Sequence, residues 1–202
     1  MTTRTAYPWE AAASGAAAAL AQQLSSHVPQ LDTARLVLRA PRLDDFPDYA
    51  GILMSDRARF MDGPFSRQSA WLDFTQYAAG WQLRGVGMWT AEQRKSGAVA
   101  GFFSAGMEYG DREHELGYLL TADFEGQGLA AEAIAAVRDF ALTTLELPSL
   151  VSYVDPGNLR SAKAAERSGA QRDTDAEATF DSKVLVYRHL LQDSDGGMEG
   201  YA

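Results

Sequence analysis

The chain has 202 residues, enough for one domain that buries a full core without covalent staples. It has no cysteine, which excludes a disulfide framework, a thiol nucleophile and thiolate metal ligands; His27, His114 and His189 are far apart, so no metal site is expected. A net charge of −9 argues against nucleic acid, whose phosphates demand a basic face, and is compatible with a cationic amine as partner, although most of it reads as solvated surface.

Residues 1–30 read as an appended segment, with a helix over about Trp9–Ser26 from its alanines and Pro29 as its stop. This Ala-rich start has too little apolar weight for a signal peptide. No apolar run approaches the roughly 20 residues that span a bilayer, so a soluble cytoplasmic protein without membrane contact is the expectation. The fold proper, residues 31–191, starts with the alternating Arg35–Arg39, a strand with Leu36 and Leu38 on one face. Asp44 or Asp45 then caps a helix to about Met54. A loop over Arg57–Phe65 leads to a second helix from about Gln68, whose Trp71, Phe74, Tyr77 and Trp81 recur at helical spacing. That stripe reads as core packing, with an aromatic acceptor pocket as the alternative. Strands follow near Val86–Glu92, Val99–Glu108 and Glu113–Leu120, then a helix to about Leu145, a strand at Leu150–Val154 and a helix from Asn158 to Gly169. A last strand pair, near Gln171–Ala176 and Lys183–His189, precedes an acidic tail over 192–202 that reads as flexible.

The most informative stretch is Glu125-Gly126-Gln127-Gly128-Leu129-Ala130, between the apolar Leu116–Leu120 and a helical run. Two glycines at a strand-to-helix junction expose backbone N–H groups at the positive end of a helix dipole, where an anion binds without a charged side chain. A second segment, Asn158-Leu159-Arg160-Ser161, follows the turn Asp155-Pro156-Gly157 and opens another helix. Asn158 is a good N-cap there in its own right.

In this order and spacing the two segments resemble the acetyl-CoA motifs of the GNAT N-acetyltransferases. Glu125-x-x-Gly128-x-Ala130 is similar to the Arg/Gln-x-x-Gly-x-Gly/Ala signature. Asn158, Ser161, Glu166, Arg167, Gly169 and Ala170 follow the Asn-x-x-Ser-x-x-x-x-Glu-Lys/Arg-x-Gly-Phe pattern. Thr33–Arg39, Glu115-Leu116-Gly117-Tyr118 and Val186-Tyr187-Arg188-His189 bring the resemblance closest to the branch that includes the ribosomal-protein N-terminal acetyltransferases. The resemblance implies an α/β fold: a mixed, mostly antiparallel sheet flanked by helices, in which strands 113–120 and 150–154 splay apart to admit the pantetheine arm. It implies acetyl-CoA as cosubstrate and a primary amine as acceptor, a protein or peptide N-terminus or a small amine, attacking directly in a ternary complex. Homodimers are common in the family.

By the same resemblance, Gly126, Gln127, Gly128, Leu129 and Ala130 offer N–H groups to the pyrophosphate. Asn158 meets the pantetheine, and Leu119 or Leu120 polarises the thioester carbonyl. Glu125 departs from the signature and places a carboxylate beside the pyrophosphate. Many members carry a tyrosine acid at the position of Ala165, which makes Ser161 the better donor to the leaving thiolate here. Glu115 is the first choice of base and His114 the alternative; strict alternation puts them on opposite faces, and a bulge near Gly117 would change which one meets the cleft. With no obvious strong base, an α-amine acceptor is expected. The loop Arg57–Phe65 and the turn Thr174–Ser182 are candidates for acceptor recognition. Two other readings stand beside this one: a CoA-binding sensor or interaction module that lost its chemistry, and, from Gly126-x-Gly128-x-x-Ala131, a dinucleotide-binding reductase.

Overall fold

The structure, a computed structural model, describes residues 7–191; the flexible-tail expectation for 192–202 lies outside the described residues. The N-terminal helix begins later than the alanines suggest: Pro8–Glu10 forms a 3-10 turn, and α1 runs over Gly15–Ser25 with none of its residues buried. Glu10 nevertheless anchors the segment, its carboxylate accepting 2.7 Å bonds from Nε and Nη2 of Arg67.

The strands β1 (Leu31–Asp32), β2 (Leu36–Arg39), β3 (Met88–Gln93) and β4 (Val99–Gly106) form one antiparallel run. It continues through β5 (Glu115–Leu120), β6 (Val151–Val154), β7 (Gln171–Arg172) and β8 (Leu185–Arg188) in the order β1-β2-β3-β4-β5-β6-β8-β7. Leu36 and Leu38 are fully buried, as alternation requires. Gly101 on β4 is a close-approach position: a Cβ there would lie 2.2 Å from the Leu119 carbonyl oxygen. A bulge does occur in this sheet, but at Ala91/Glu92 of β3; the β4–β5 register runs without a shift through Ser104 and Gly117.

Helices α2 (Phe46–Leu53) and α3 (Arg67–Arg84) cover one face, where Phe46, Tyr49 and Phe74 pack on Met88 and Phe102. Trp71 and Phe74 belong to this packing, and Trp81 stacks edge-on against Trp89 with centroids 4.5 Å apart. Asp45 stands at the N-cap position of α2, as expected, but its side chain makes no cap bond to that helix. Its buried carboxylate accepts from the Arg42 N–H, the Thr90 hydroxyl and both Nη atoms of Arg39, ending a 3-10 turn over Leu43–Asp45. Helix α4 (Leu129–Thr143) covers the other face, with Ala133, Ile134 and Val137 against Leu116 and Phe103. Helix α5 (Leu159–Arg167) lies beside β6 and β8. The expected strand over 171–176 is cut to two residues because the Asp173 carboxylate caps the Ala176 N–H at 2.9 Å, starting a short helix, α6 (Thr174–Glu177).

Strands β5 and β6 are the single parallel pair, and they share one register position, Glu115 opposite Val151. Beyond it they diverge, as the resemblance implied. The parting is pinned at its apex by side chains. The Ser152 hydroxyl donates to the Leu116 carbonyl at 2.6 Å and lies 2.9 Å from Nε2 of His189, which is buried beneath the sheet end.

Candidate active site

The divergence of β5 from β6 leaves β5 backbone groups facing an opening. The N–H of Thr121 goes to Ala100 on β4, and alternation assigns Leu119 and Gly117 to the same ladder. Residues 114, 116, 118 and 120 therefore face the opposite way. His114 O accepts from Val151, Leu116 O from Ser152, and Leu120 O from Arg57 Nη2 at 2.7 Å. This corrects the expectation for Leu119, whose N–H is committed to β4. The backbone groups facing the opening are those of Tyr118 and Leu120.

One end of the opening is the loop before α4. Gly126 and Gly128 adopt φ values of 72° and 76°, the left-handed region that a side chain resists. A Cβ at Gly126 would meet nothing within 4 Å, so the loop presents bare backbone to an open side. The first-turn N–H groups of α4, those of Leu129 and Ala130 among them, have no helical acceptor, and Glu132 is the first to return a bond, to Gly128 O. Arg35 holds the loop from beneath: Nη1 donates to Gln127 O at 2.8 Å and Nε to Glu132 at 2.6 Å. Burial opposes the charge on Glu132, but the hydrogen bonds from Thr33 and Arg35 together outweigh it and hold its carboxyl below the ordinary value. Such a cradle fits a diphosphate by the chemistry of its donors.

Asn158 caps α5, its Oδ1 accepting from the Ser161 N–H at 3.2 Å, which leaves the amide nitrogen for another partner. The Ser161 hydroxyl donates to the Tyr118 hydroxyl at 2.9 Å, and Tyr118 donates in turn to the Ser161 carbonyl at 2.8 Å. Tyr118 is a site residue that the sequence reading left unassigned. Its signal was the tyrosine directly after Gly117 on the central strand. Burial pushes its hydroxyl up to about 12. Ala165, where a family tyrosine is absent, is fully buried against Val154 and Tyr187.

At the other end stands Glu115. Its carboxylate meets the Tyr153 N–H at 3.4 Å, and burial, reinforced by Asp111 and Glu108, raises it to about 8. Tyr77 on α3 bonds Glu108, and Tyr49 bonds Asp73, whose own carboxyl is raised by burial and by Glu108. Burial raises both tyrosine hydroxyls well above the ordinary range. Tyr77 therefore packs in the core and also places its hydroxyl at this end. His114 lies just before β5, and burial with Arg84 nearby depresses its imidazolium. Of the two segments expected to meet an acceptor, the 174–182 turn reaches this end. Phe180 packs on Tyr153 at 5.4 Å, and Arg112 sits over Phe180 at 4.2 Å. The buried Tyr153 hydroxyl has no hydrogen-bond partner among the described residues. Arg57 lies at the opposite end, on Leu120 and Glu125.

Among the described residues no group of three or more histidine, cysteine, aspartate or glutamate side chains could hold a metal ion, and no helix is long and apolar enough to cross a membrane. The antiparallel sheet with one parallel pair is not a doubly wound dinucleotide fold, which removes the reductase reading.

A splayed strand pair, with main-chain N–H groups at one end and a buried carboxyl at the other, is an arrangement suited to acyl transfer from a thioester. The model of the acetyltransferase (GNAT) domain matches residues 35–171, and the chain belongs to that family. An acetyltransferase from Agrobacterium tumefaciens is 38% identical, with a TM-score of 0.76 over 81% of this chain and 95% of that one. The ribosomal L7/L12 α-N-protein acetyltransferase RimL, solved with coenzyme A, shares the fold at 18% identity, with a TM-score of 0.64 over 81% of this chain and 98% of that one. The uncharacterised YkkB of Bacillus subtilis is 29% identical over 87 residues, 42% of this chain; the match spans about half the length of that relative, 51%.

Proposed function

We propose that this enzyme transfers the acetyl group of acetyl-CoA to the α-amine of a peptide or protein by direct attack in a ternary complex. The observation that carries the reading is the position of Glu115 at the apex of the opening, with its carboxyl raised to about 8. At pH 7.5 about one quarter of such a carboxyl is ionised. It takes the proton of the incoming ammonium, directly or through a water. Transfer from an α-ammonium of pKa about 8 is nearly thermoneutral, whereas transfer from a lysine near 10.4 costs about 3 kcal/mol. An α-amine is favoured because its pKa matches that of the base. Glu108 and Asp111 stand beside Glu115, where a cation entering the site is attracted.

The loop Gly126–Ala130 and the first turn of α4 hold the diphosphate through main-chain N–H groups, and Asn158 meets the pantetheine arm. Bound there, acetyl-CoA supplies the activated acetyl group. The N–H groups of Tyr118 and Leu120 face the opening and hold the negative charge that develops on the carbonyl oxygen. The Ser161–Tyr118 hydroxyl pair, set between β5 and α5, donates to the departing sulfur.

The test is acetyl-CoA consumption with N-terminal peptides, lysine peptides, polyamines, amino acids and aminoglycosides. N-terminal peptides should give the highest kcat/KM, rising with pH to a plateau just above 8. A polyamine or aminoglycoside as best acceptor refutes the α-amine; coenzyme A binding without turnover of any amine refutes the transfer itself.

A further inference from the structure

Glu125 stands where the family signature carries arginine or glutamine, and the structure shows what surrounds it. One carboxylate oxygen pairs with Nη2 of Arg57, the other with Nη2 of Arg160. The three residues come from three elements: the 3-10 segment Asp56–Met61, the turn before the anion cradle, and the first turn of α5. Arg57 also reaches into the opening, donating through Nη2 to the Leu120 carbonyl, while its buried Nε has no partner. The same 3-10 segment closes on the loop before α5: a Cβ at Gly157 would lie 3.1 Å from the Phe60 ring. The bridge Arg57–Glu125–Arg160 thus crosses the mouth of the opening next to Gly126.

The arginine side chains are 28% and 67% exposed, and ion pairs at such exposure contribute little to stability. A diphosphate offers the same guanidinium groups more charge and more acceptor oxygens, in a geometry arginine binds bidentately. Glu125 is also too close to the cradle for its carboxylate and a diphosphate to ignore each other.

We infer that Glu125 is a charge latch: it holds Arg57 and Arg160 across the cleft mouth until the diphosphate of the cosubstrate takes the arginines from it. Glu125 therefore competes with the ligand, while keeping both cations positioned for it. The inference rests on the coenzyme A reading above and adds residues that the main-chain cradle does not include.

The experiment is calorimetric titration with coenzyme A, and separately with pantetheine, of wild type, Glu125→Gln and Arg160→Gln at low and high salt. Glu125→Gln should tighten coenzyme A about tenfold at low salt and lose most of that gain at high salt, where screening weakens the freed arginines. Arg160→Gln, at an exposed position that the fold does not need, should weaken coenzyme A about fivefold. Pantetheine, which lacks the diphosphate, should bind all three proteins alike. Unchanged or weaker coenzyme A binding by Glu125→Gln, or an equal gain for pantetheine, overturns the latch and leaves the transferase reading standing. Failure of wild type to bind coenzyme A overturns both.

Discussion

At one end of the β5–β6 opening the groups on offer are main-chain N–H groups of 126–130. At the other they are the carboxyls of Glu115, Glu108 and Asp111, brought together from β5 and the turn before it. The two ends also differ in how they hold charge. The cradle meets its ligand through main-chain N–H groups, which carry no titratable proton in the working range. The Glu115 end, in the reading proposed above, depends on a buried carboxyl losing its proton. One end is fixed by backbone geometry and the other is tuned by environment, so substitutions should fail in different ways at each.

The largest effect is expected at the tuned end. Glu115→Gln should lower kcat/KM about 100-fold at pH 7.5 and abolish the rise through pH 8, as read from pH–rate profiles. A loss under threefold, with His114→Ala damaging instead, would move the base to His114. The same variant should be more stable than wild type. Folding raises the Glu115 pKa from 4.5 to about 8, so wild type gives up stability as pH climbs from the lower value through the higher one. Melting curves should show Glu115→Gln ahead by about 4–5 kcal/mol at pH 8.5 and nearly level with wild type at pH 4.5.

The fixed end should respond to shape instead. Gly128 has φ 76° and Arg35 Nη2 3.6 Å from where a Cβ would stand. Gly128→Val should cost about 2 kcal/mol, or thirtyfold, in coenzyme A affinity through backbone strain and obstruction of the cradle. Amine KM should change little, which separates the two ends. Calorimetry on a folded variant with unchanged affinity would remove the cradle assignment.

The same contrast explains what was legible beforehand. Gly126 and Gly128 announce themselves because left-handed backbone needs glycine, and the need is local. Asn158 and Ser161 were legible for the same reason, as a cap and its first turn. The alternating Leu36 and Leu38 likewise gave a strand. Glu108 and Tyr77 at the Glu115 end meet only because α3 packs on the sheet, a contact that spacing along the chain does not encode. The commitment of Leu119 to β4 follows from the phase of the ladder, which Thr121 and Ala100 set from another strand. Asp173 shortened β7 by a side-chain cap that competes with extended structure, so the strand expected over 171–176 stops at Arg172.

A smaller effect tests the apex that holds both ends in register. Burial, with Arg138 nearby, lowers His189 to about 4. A base whose folded pKa lies below its unfolded 6.5 costs stability as pH falls from 6.5 through 4, because only the unfolded chain takes the proton freely. Wild type should therefore lose about 1–3 kcal/mol over that range from this group. Histidine 189 also supports Ser152 at the point where β6 leaves β5. His189→Gln, which keeps a polar group there, should lower stability at pH 7 yet flatten the acid loss in denaturant titrations. An equally steep loss would place the acid sensitivity elsewhere.

The smallest effect belongs to the hydroxyl pair between the ends. A thiol of pKa about 8.5 leaves as thiolate at pH 7.5 with a penalty near 1.4 kcal/mol, which caps what any acid can contribute at about tenfold. Ser161 donates its proton to Tyr118, and Tyr118 donates to the Ser161 carbonyl, so neither hydroxyl stands idle for the sulfur until the arrangement opens. If Ser161 delivers the proton, Ser161→Ala should cost between three- and tenfold in kcat and Tyr118→Phe somewhat less, since the serine can turn to the sulfur without its partner. If Tyr118 delivers it, the order reverses; even raised by burial to about 12, its phenol remains a stronger acid than the serine hydroxyl. The cost in either case should shrink as pH rises past 8.5, where the thiolate no longer needs a proton. A cost that grows with pH, or exceeds a hundredfold, would mean that the pair positions the pantetheine arm rather than protonating it.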